Sequence, residues 1–391
     1  MTVRDSFNRV LDWMVRPEVR LFGLTRSTFL VMGYVGLFLA CLLAMSLVMF
    51  WGLAFWLMGL LILTAVITFL SLNMAVKIIS GWEMIVCIHH QVAVLLITTL
   101  LLRLLNQPVL PYLAITMLGV GVFIGIGRLG CLMVGCCHGR PGRWGVCYRQ
   151  EHAEAGFAPY FVGVRFFPIQ AVASLLLFGN VIVGTLLVLL GNPGAALVWY
   201  LVVYCTGRFI LEFFRGDPAR PYYRGLSEPQ WNALVVILGV LLVGMAGGLP
   251  VLAWQIILTV VICLLALVMM LRAHFPRRGH WYYRQPRHVQ EVAELLMKES
   301  LLAAIETPIT LDPETTSLGL RISAGRINGM DGPVKHYALS AVDGTLSAAH
   351  AADMAALILQ LQHPTEPGQL VAGNQGVFHL LIQPQPAGGP A

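Results

Sequence analysis

Eight apolar runs, cut at charges and at Gly/Pro breaks, organise the chain: roughly residues 28–48, 51–72, 84–104, 111–134, 168–190, 194–214, 231–247 and 250–273. Each approaches the ~20 residues that a helix needs to cross the hydrocarbon of a bilayer. The runs are continuous rather than alternating, which predicts helices and not barrel strands. Almost nothing polar separates the first pair around Trp51-Gly52. The last pair is split by Gly247-Gly248-Leu249-Pro250, a break that a straight helix would not carry. Read as one broken span, that pair would reduce the number to seven.

Two polar segments interrupt the pattern, residues 135–167 (rich in Gly and Arg) and 215–230 (rich in Pro and Arg). Both are too polar for hydrocarbon. Beyond about residue 275 the pattern changes. Residues 288–306 read as an amphipathic helix with Val292, Leu295, Leu296, Leu302 and Ile305 on one side. Residues 318–323 and 333–342 read as strands, 346–362 as a helix, and 370–383 as a hairpin turning at Gly373-Asn374-Gln375-Gly376. The expected architecture is an all-α polytopic membrane protein of seven to eight transmembrane helices with a small α+β C-terminal soluble domain. Its divisions are a basic N-terminal segment (1–27), a membrane domain (28–274), the soluble domain (275–384) and a frayed, disordered tail (385–391). The α+β part has about 100 residues, within the range that folds alone.

Composition agrees: 58% of residues are hydrophobic and 11% charged, against about 25% charged in an ordinary soluble domain. This excludes a soluble enzyme of normal composition, a disordered chain and a nucleic-acid binder. The net charge of +6 comes from 25 basic residues, of which 22 are Arg and three are Lys (Lys77, Lys298, Lys335). Arginine grips phosphate and carboxylate through a planar fork that lysine lacks; a GC-rich genome is the competing explanation. The first 26 residues lack a small-residue cleavage site beside a short apolar core, so the first span is read as an uncleaved signal. Orientation stays open. The basic N-terminus and Arg272, Arg277, Arg278, Arg284 and Arg287 argue for the cytoplasm, but arginines that bind a substrate are not placed by topology.

Three places concentrate candidate chemistry. In Gly207-Arg208-Phe209-Ile210-Leu211-Glu212-Phe213-Phe214-Arg215-Gly216-Asp217-Pro218, Arg208, Glu212 and Arg215 stand at i, i+4 and i+7 on one helix face. Ionisable groups within a span are costly and mark functional paths. Glu212 would neutralise and aim Arg208 and leave Arg215 for an anion; a span end with snorkelling arginines explains Arg215 but not Glu212. In the second place, Gly125 to Arg140, Arg128 lies in a glycine-lined apolar stretch, where glycines admit either a ligand or a neighbouring helix. In the third, His89-His90 opens a span after Glu83 and offers a base or an interfacial anchor. Tyr34 in the first span is either a ligand contact or packing. Cys41, Cys87, Cys205 and Cys263 lie in apolar runs, whereas Cys131, Cys136, Cys137 and Cys147 cluster with His138. Their C-x4-C-C-H-x8-C spacing is not the paired pattern of zinc sites, and adjacent Cys136-Cys137 makes joint chelation awkward.

Taken in order, these residues resemble the bacterial prolipoprotein diacylglyceryl transferase family, in particular divergent members with a Gly-Cys-Cys-x-Gly loop. The resemblance runs over roughly residues 30–245. It rests on GRLGCLMVGCCHGR, on Pro168-Ile169-Gln170 opening a span, on GRFILEFFRGDP and on Leu226-Ser227-Glu228-Pro229-Gln230. It implies Arg128 at a phospholipid head group, the pair Arg208 and Glu212, and His90 among the catalytic residues. Arg215, Gly139, Tyr34, Arg140, Gln170 and His89 are implied in substrate binding. It implies transfer of the diacylglyceryl group of phosphatidylglycerol to the lipobox cysteine of a secreted lipoprotein precursor, in the bacterial cytoplasmic (inner) membrane. No cofactor, metal or nucleic acid is implied. Cys131, Val134 and Cys136 stand where the family has Asn, Asn and Glu, and the second span lacks its Gly-x-Arg stretch. Two other readings stay open: a non-catalytic phospholipid-binding or membrane-anchoring protein displaying its C-terminal domain, and a membrane thiol-redox or metal protein using the Cys131–Cys147 cluster.

Overall fold

A computed structural model describes residues 3–21, 23–81, 87–218, 221–275, 282–303, 309–329, 332–342, 344–362 and 368–383. Helix α1 (Val3–Met14) leads through strands β1 (Glu18–Leu21) and β2 (Leu24–Ser27) into α2 (Thr28–Phe50). Then come α3 (Phe55–Ser80), α4 (Cys87–Leu104), α5 (Val109–Val134), β3 (Pro141–Cys147), α6 (Gln150–Glu154) and β4 (Arg165–Phe166). Helices α7 (Ile169–Leu189) and α8 (Pro193–Leu211) precede the short pair β5 (Tyr222–Tyr223) and β6 (Leu226–Ser227), and α9 (Glu228–Met245) and α10 (Ala253–His274) complete the membrane part. Beyond them lie α11 (Pro286–Ala303), β7 (Ile309–Thr310), β8 (Glu314–Thr315), β9 (Leu320–Gly329), β10 (Gly332–Ala341), α12 (Ala348–Gln362), β11 (Gln369–Ala372) and β12 (Phe378–Ile382).

Eight of the described helices are long and apolar enough to cross a membrane: α2, α3, α4, α5, α7, α8, α9 and α10. The Gly247–Pro250 break therefore separates two spans: Gly247 has φ +82° and the Gly248 N–H closes back on the Val243 carbonyl. The second span begins later than the apolar run. Trp51 and Gly52 form the turn that ends α2, with Gly52 at φ +62°, and Leu53-Ala54 leads into α3 outside the helix although it is apolar.

Helices α5 and α8 form the middle of the bundle, with α2 and α7 packed on α5 and α9 on α8. The glycines around Arg128 divide by role. A Cβ on Gly125 would stand 2.9 Å from the Phe178 ring, so this glycine sets helix spacing, whereas Gly127 faces open space.

The C-terminal strands form one antiparallel sheet in the order β11-β12-β10-β9-β7, with β8 also on β9. In β9–β10 register Ile322 faces Leu339 and Ala324 faces Tyr337. These four, with Leu380 and Ile382 of β12, are buried under α11 and α12. That core does not stop at the domain. It continues through Val146, Tyr148, Phe157, Phe161 and Phe166 of the 135–167 segment to Leu11 and Val15 near the N-terminus. The N-terminal segment is thus part of a cap, not a free basic tail. Asp12 holds Arg165 with two oxygens (3.0 and 2.7 Å) and accepts the Cys147 N–H (2.8 Å). Asn8 accepts the Gly145 N–H (2.9 Å) and donates to the Arg143 carbonyl (3.0 Å).

Candidate active site

Where the cap meets the bundle, one cavity is walled by α5, α7, α8 and the turn after α5. Its lining includes Arg128, Cys137, Gln170, Tyr204, Arg208 and Arg215, with an apolar side of Ile169, Ala173, Leu176, Leu177 and Leu211. A polar end against an apolar wall in a membrane protein is the profile of a lipid head group followed by its chains.

The motif on α8 supplies two cations by different local structures. Tyr200, Tyr204, Arg208 and Glu212 recur every four residues, so they share one face. Glu212 is 3% exposed and Arg208 8%, and Arg208 Nη1 lies 2.5 Å from Glu212 Oε2. Glu212 does not line the cavity; it holds Arg208 from behind. The helix then tightens over Glu212–Phe214 and leaves helical geometry at Arg215 (φ −75°, ψ 144°). The expected single face for Arg208, Glu212 and Arg215 is therefore broken at the third residue. Arg215 still reaches the cavity, but it does not stand free for an anion: its Nε and Nη2 each lie 2.8 Å from an Asp217 oxygen.

Arg128 approaches from α5. Its Nη2 is 3.2 Å from the Cys87 sulfur, and among the described residues no carboxylate lies within ion-pair distance. Glu83, just before α4, lies outside the described residues. Tyr204 is buried, and its hydroxyl meets no hydrogen-bond partner among the described residues. A buried hydroxyl left in this way costs free energy unless a ligand or water meets it. Tyr204 stacks on Tyr200, whose hydroxyl donates to Gln91 Oε1 (2.8 Å).

The backbone stitches the two arginine motifs together. Gly139 bridges Arg215, the Arg140 N–H donates to the Phe214 carbonyl (3.1 Å), and the Gly216 N–H donates to the His138 carbonyl (3.0 Å). No side chain fits between them: a Cβ on Gly139 would fall 2.3 Å from the Phe167 carbonyl oxygen, and one on Gly216 2.1 Å from that of Gly139. Gly139 thus acts as a crossing point of chains. Gln170 lines the cavity and donates to the Cys136 carbonyl (2.8 Å), tying α7 to the same turn.

Other expected site residues sit elsewhere. His90 is buried on α4 against Phe69, with ring centres 4.5 Å apart, and does not line the cavity. Cys87, the first residue of α4, reaches Arg128. His89 joins α4 to α9 through Asn232 (2.8 Å) and Glu228 (3.3 Å). Tyr34 is 72% exposed on the outer face of α2, and the Arg140 side chain lies outside the cavity lining. Sequence reading passed over Tyr204 and Asp217, although the four-residue recurrence from Tyr200 to Glu212 was available to find the first.

The turn after α5 gathers three thiols. Gly135 caps the helix at φ +82°, donating to the Cys131 carbonyl. Cys137 then also takes a left-handed φ of +54°, uncommon without a glycine. The sulfur atoms of Cys131, Cys136 and Cys137 lie within 4.8 Å of one another. Hydrogen bonds from the Cys131 and Cys136 thiols, and the Arg215 and Arg128 guanidiniums, hold the Cys137 thiol well below its ordinary range. Cys147, in β3 beside Asp12 and Arg165, is not in the group.

Residues 14–246 match the sequence model of the family described as prolipoprotein diacylglyceryl transferase. Two relatives align over parts of the chain. The phosphatidylglycerol--prolipoprotein diacylglyceryl transferase 2 of Clostridium perfringens (strain 13 / Type A) is 32% identical over 127 residues, 31% of this chain and 46% of the relative. The phosphatidylglycerol--prolipoprotein diacylglyceryl transferase of Clostridium tetani (strain Massachusetts / E88) is 31% identical over 139 residues, 34% of this chain and 52% of the relative. The chain spans about half the length of these curated relatives. With the match extending across the first seven spans and both arginine motifs, this polytopic membrane chain belongs to the prolipoprotein diacylglyceryl transferase family.

Proposed function

We propose that the protein transfers the diacylglyceryl group of phosphatidylglycerol to the cysteine thiol of a prolipoprotein in the bacterial cytoplasmic membrane. One observation carries the reading: guanidiniums from α5 and from the end of α8 share one cavity with an apolar wall. The relatives' names supply the donor and the acceptor class. Arg128 and Arg208 hold the phosphate, with Arg215 beside them, and the Tyr204 hydroxyl is placed to donate to a phosphate oxygen. When the acceptor sulfur bonds to the glyceryl carbon, the carbon–oxygen bond breaks and its electron pair goes to the departing glycerol phosphate. Guanidiniums held in place beside an apolar wall stabilise that developing charge.

The test is transfer of radiolabelled diacylglycerol from phosphatidylglycerol to a lipobox peptide, with protein made in a strain depleted of its own transferase. Wild type labels the peptide; Arg128→Ala and Arg208→Ala each lower the rate by about 100-fold or more, the scale set by loss of one preorganised donor to a developing oxyanion. A folded wild-type protein that never labels the peptide sinks the proposal. A second reading, phospholipid binding without transfer, is favoured by the absence of His90 from the cavity lining. It predicts lipid retention that depends on Arg128 and Arg208, with no labelled peptide.

A further inference from the structure

The cavity presents cations and a hydroxyl, but its nucleophile, the acceptor thiol, needs to lose a proton, because the thiolate is the reactive form. We propose that Cys131, Cys136 and Cys137 bind one zinc ion as three thiolates and leave its fourth position to the acceptor thiol. The zinc site does not depend on the transferase reading; the fourth-position role rests on it.

Three observations support the site. First, the sulfurs already lie within 4.8 Å of one another, whereas thiolates around one zinc stand about 3.8 Å apart, given Zn–S bonds of about 2.3 Å in a tetrahedron. Side-chain adjustments of under about 1 Å close that gap. Second, neighbouring cysteines ordinarily point apart, which argues against joint chelation by Cys136 and Cys137. Here the left-handed backbone at Cys137 (φ +54°) brings both sulfurs to one centre. Non-glycine residues in that region gather at functional sites. Third, the charges match. Zinc with three thiolates is anionic, and the guanidiniums of Arg128, Arg208 and Arg215 line the cavity onto which Cys137 opens.

The site also opens the right way. Cys137 lines the cavity, so a fourth ligand would arrive from the side where the phosphate is bound. Three protein ligands and one open position is the pattern of catalytic zinc, and a thiol bound to zinc is deprotonated outright. The acceptor S–H would release its proton to solvent on binding. Its sulfur then forms the bond to the glyceryl carbon, and glycerol phosphate leaves with the electron pair of the broken carbon–oxygen bond. No oxidant or reductant takes part.

The experiment uses full-length protein purified in detergent without chelator. Metal analysis is expected to find about one zinc per chain. Cobalt substitution is expected to give sulfur-to-metal charge-transfer absorption and the intense visible bands of a tetrahedral site. A lipobox peptide with its cysteine is expected to shift those bands, and the same peptide with serine to leave them unchanged. Cys136→Ser and Cys137→Ser should each weaken zinc binding by more than about 100-fold, beyond the 10–100-fold cost of losing an outer-sphere partner. Cys147→Ser, outside the group, should bind as wild type. Chelation and zinc restoration of the wild-type protein give the same answer if a variant fails to fold. Absence of zinc together with failure to bind cobalt overturns the site, as do zinc retained in Cys137→Ser or a disulfide found among the three cysteines. Zinc bound with no response to the peptide thiol overturns the fourth-position role. Zinc bound and thiol-responsive with no lipid transfer leaves this site standing and sinks the transferase reading.

Discussion

Buried charge is the clearest signal at the scale of single residues. Arg208 and Glu212 were legible in the sequence because a carboxylate flanked by Leu211 and Phe213 has no inexpensive explanation in a membrane. Arg215 was only half legible, since its helical phase assumed a helix that ends one turn earlier. Its partner Asp217 lay two residues away but outside any periodicity that would have joined them. Within the pair, the energetics are asymmetric. Glu212→Ala leaves the Arg208 guanidinium buried without its carboxylate (side chains 10% and 2% exposed). It should cost about 3–5 kcal/mol, whereas replacing both partners by apolar residues should cost less. Thermal unfolding of both variants in one detergent checks the order. Equal losses would mean that Glu212 contributes through packing rather than charge.

At the scale of elements, eight spans were readable from length and hydropathy, and the errors fell where a boundary is conformational. The turn at Trp51–Ala54 is as apolar as the helices it joins. The 135–167 segment read as a polar loop because its apolar residues are spaced irregularly. Their partners, on α11 and α12, lie more than a hundred residues away. Helix α1 was within reach, with Phe7, Leu11 and Val15 at four-residue spacing. The crossing of the two arginine motifs yields a firm expectation. Gly139→Ala forces a methyl against the Phe167 backbone carbonyl, which no rotamer change relieves. The cost should reach the upper end of the about 1–3 kcal/mol typical of overpacking, with transfer lost even where the protein stays folded.

The cap should also weaken in acid. His138, His152 and His288 are buried in it, and burial lowers each from its ordinary 6.5. The unfolded chain takes up protons near 6.5, while the folded cap resists them until lower pH. Unfolding therefore takes up protons in that window, and stability falls as pH drops below about 6.5 toward the folded values. Amide exchange over residues 141–166, corrected for intrinsic rates, should be faster at about pH 5.5 than at about pH 7.5. Unchanged protection would show that these imidazoles do not couple to docking.

For the whole molecule, eight spans and the shared core put both ends of the chain and the 135–167 segment on one face. The turns on the other face, around Trp51–Ala54, Leu105–Pro108, Leu190–Asn192 and Ala246–Leu252, carry no charged residue, and Arg103 in the last turn of α4 flanks one of them. Counted naively, this excess of arginine assigns the cap to the cytoplasm. The structure changes what is counted. Arg165 is neutralised by Asp12, Arg215 by Asp217 and Arg326 by Glu299; Arg128 and Arg208 line the cavity. Such arginines are held by partners or by a substrate, so they report little about insertion. The proposed reaction then decides the side, because the cysteine of a secreted precursor becomes available only where the precursor emerges. The cap should therefore face away from the cytoplasm. Short epitope tags at the exposed turns Gly23 and Gly344 should both be reached by antibody in spheroplasts with an intact inner membrane, and tags at Asn106 or Gly191 only after lysis. Tags at Gly23 and Gly344 on opposite faces would contradict the eight-span fold itself. Both reached only after lysis would leave the fold standing and remove the acceptor from the cavity's reach.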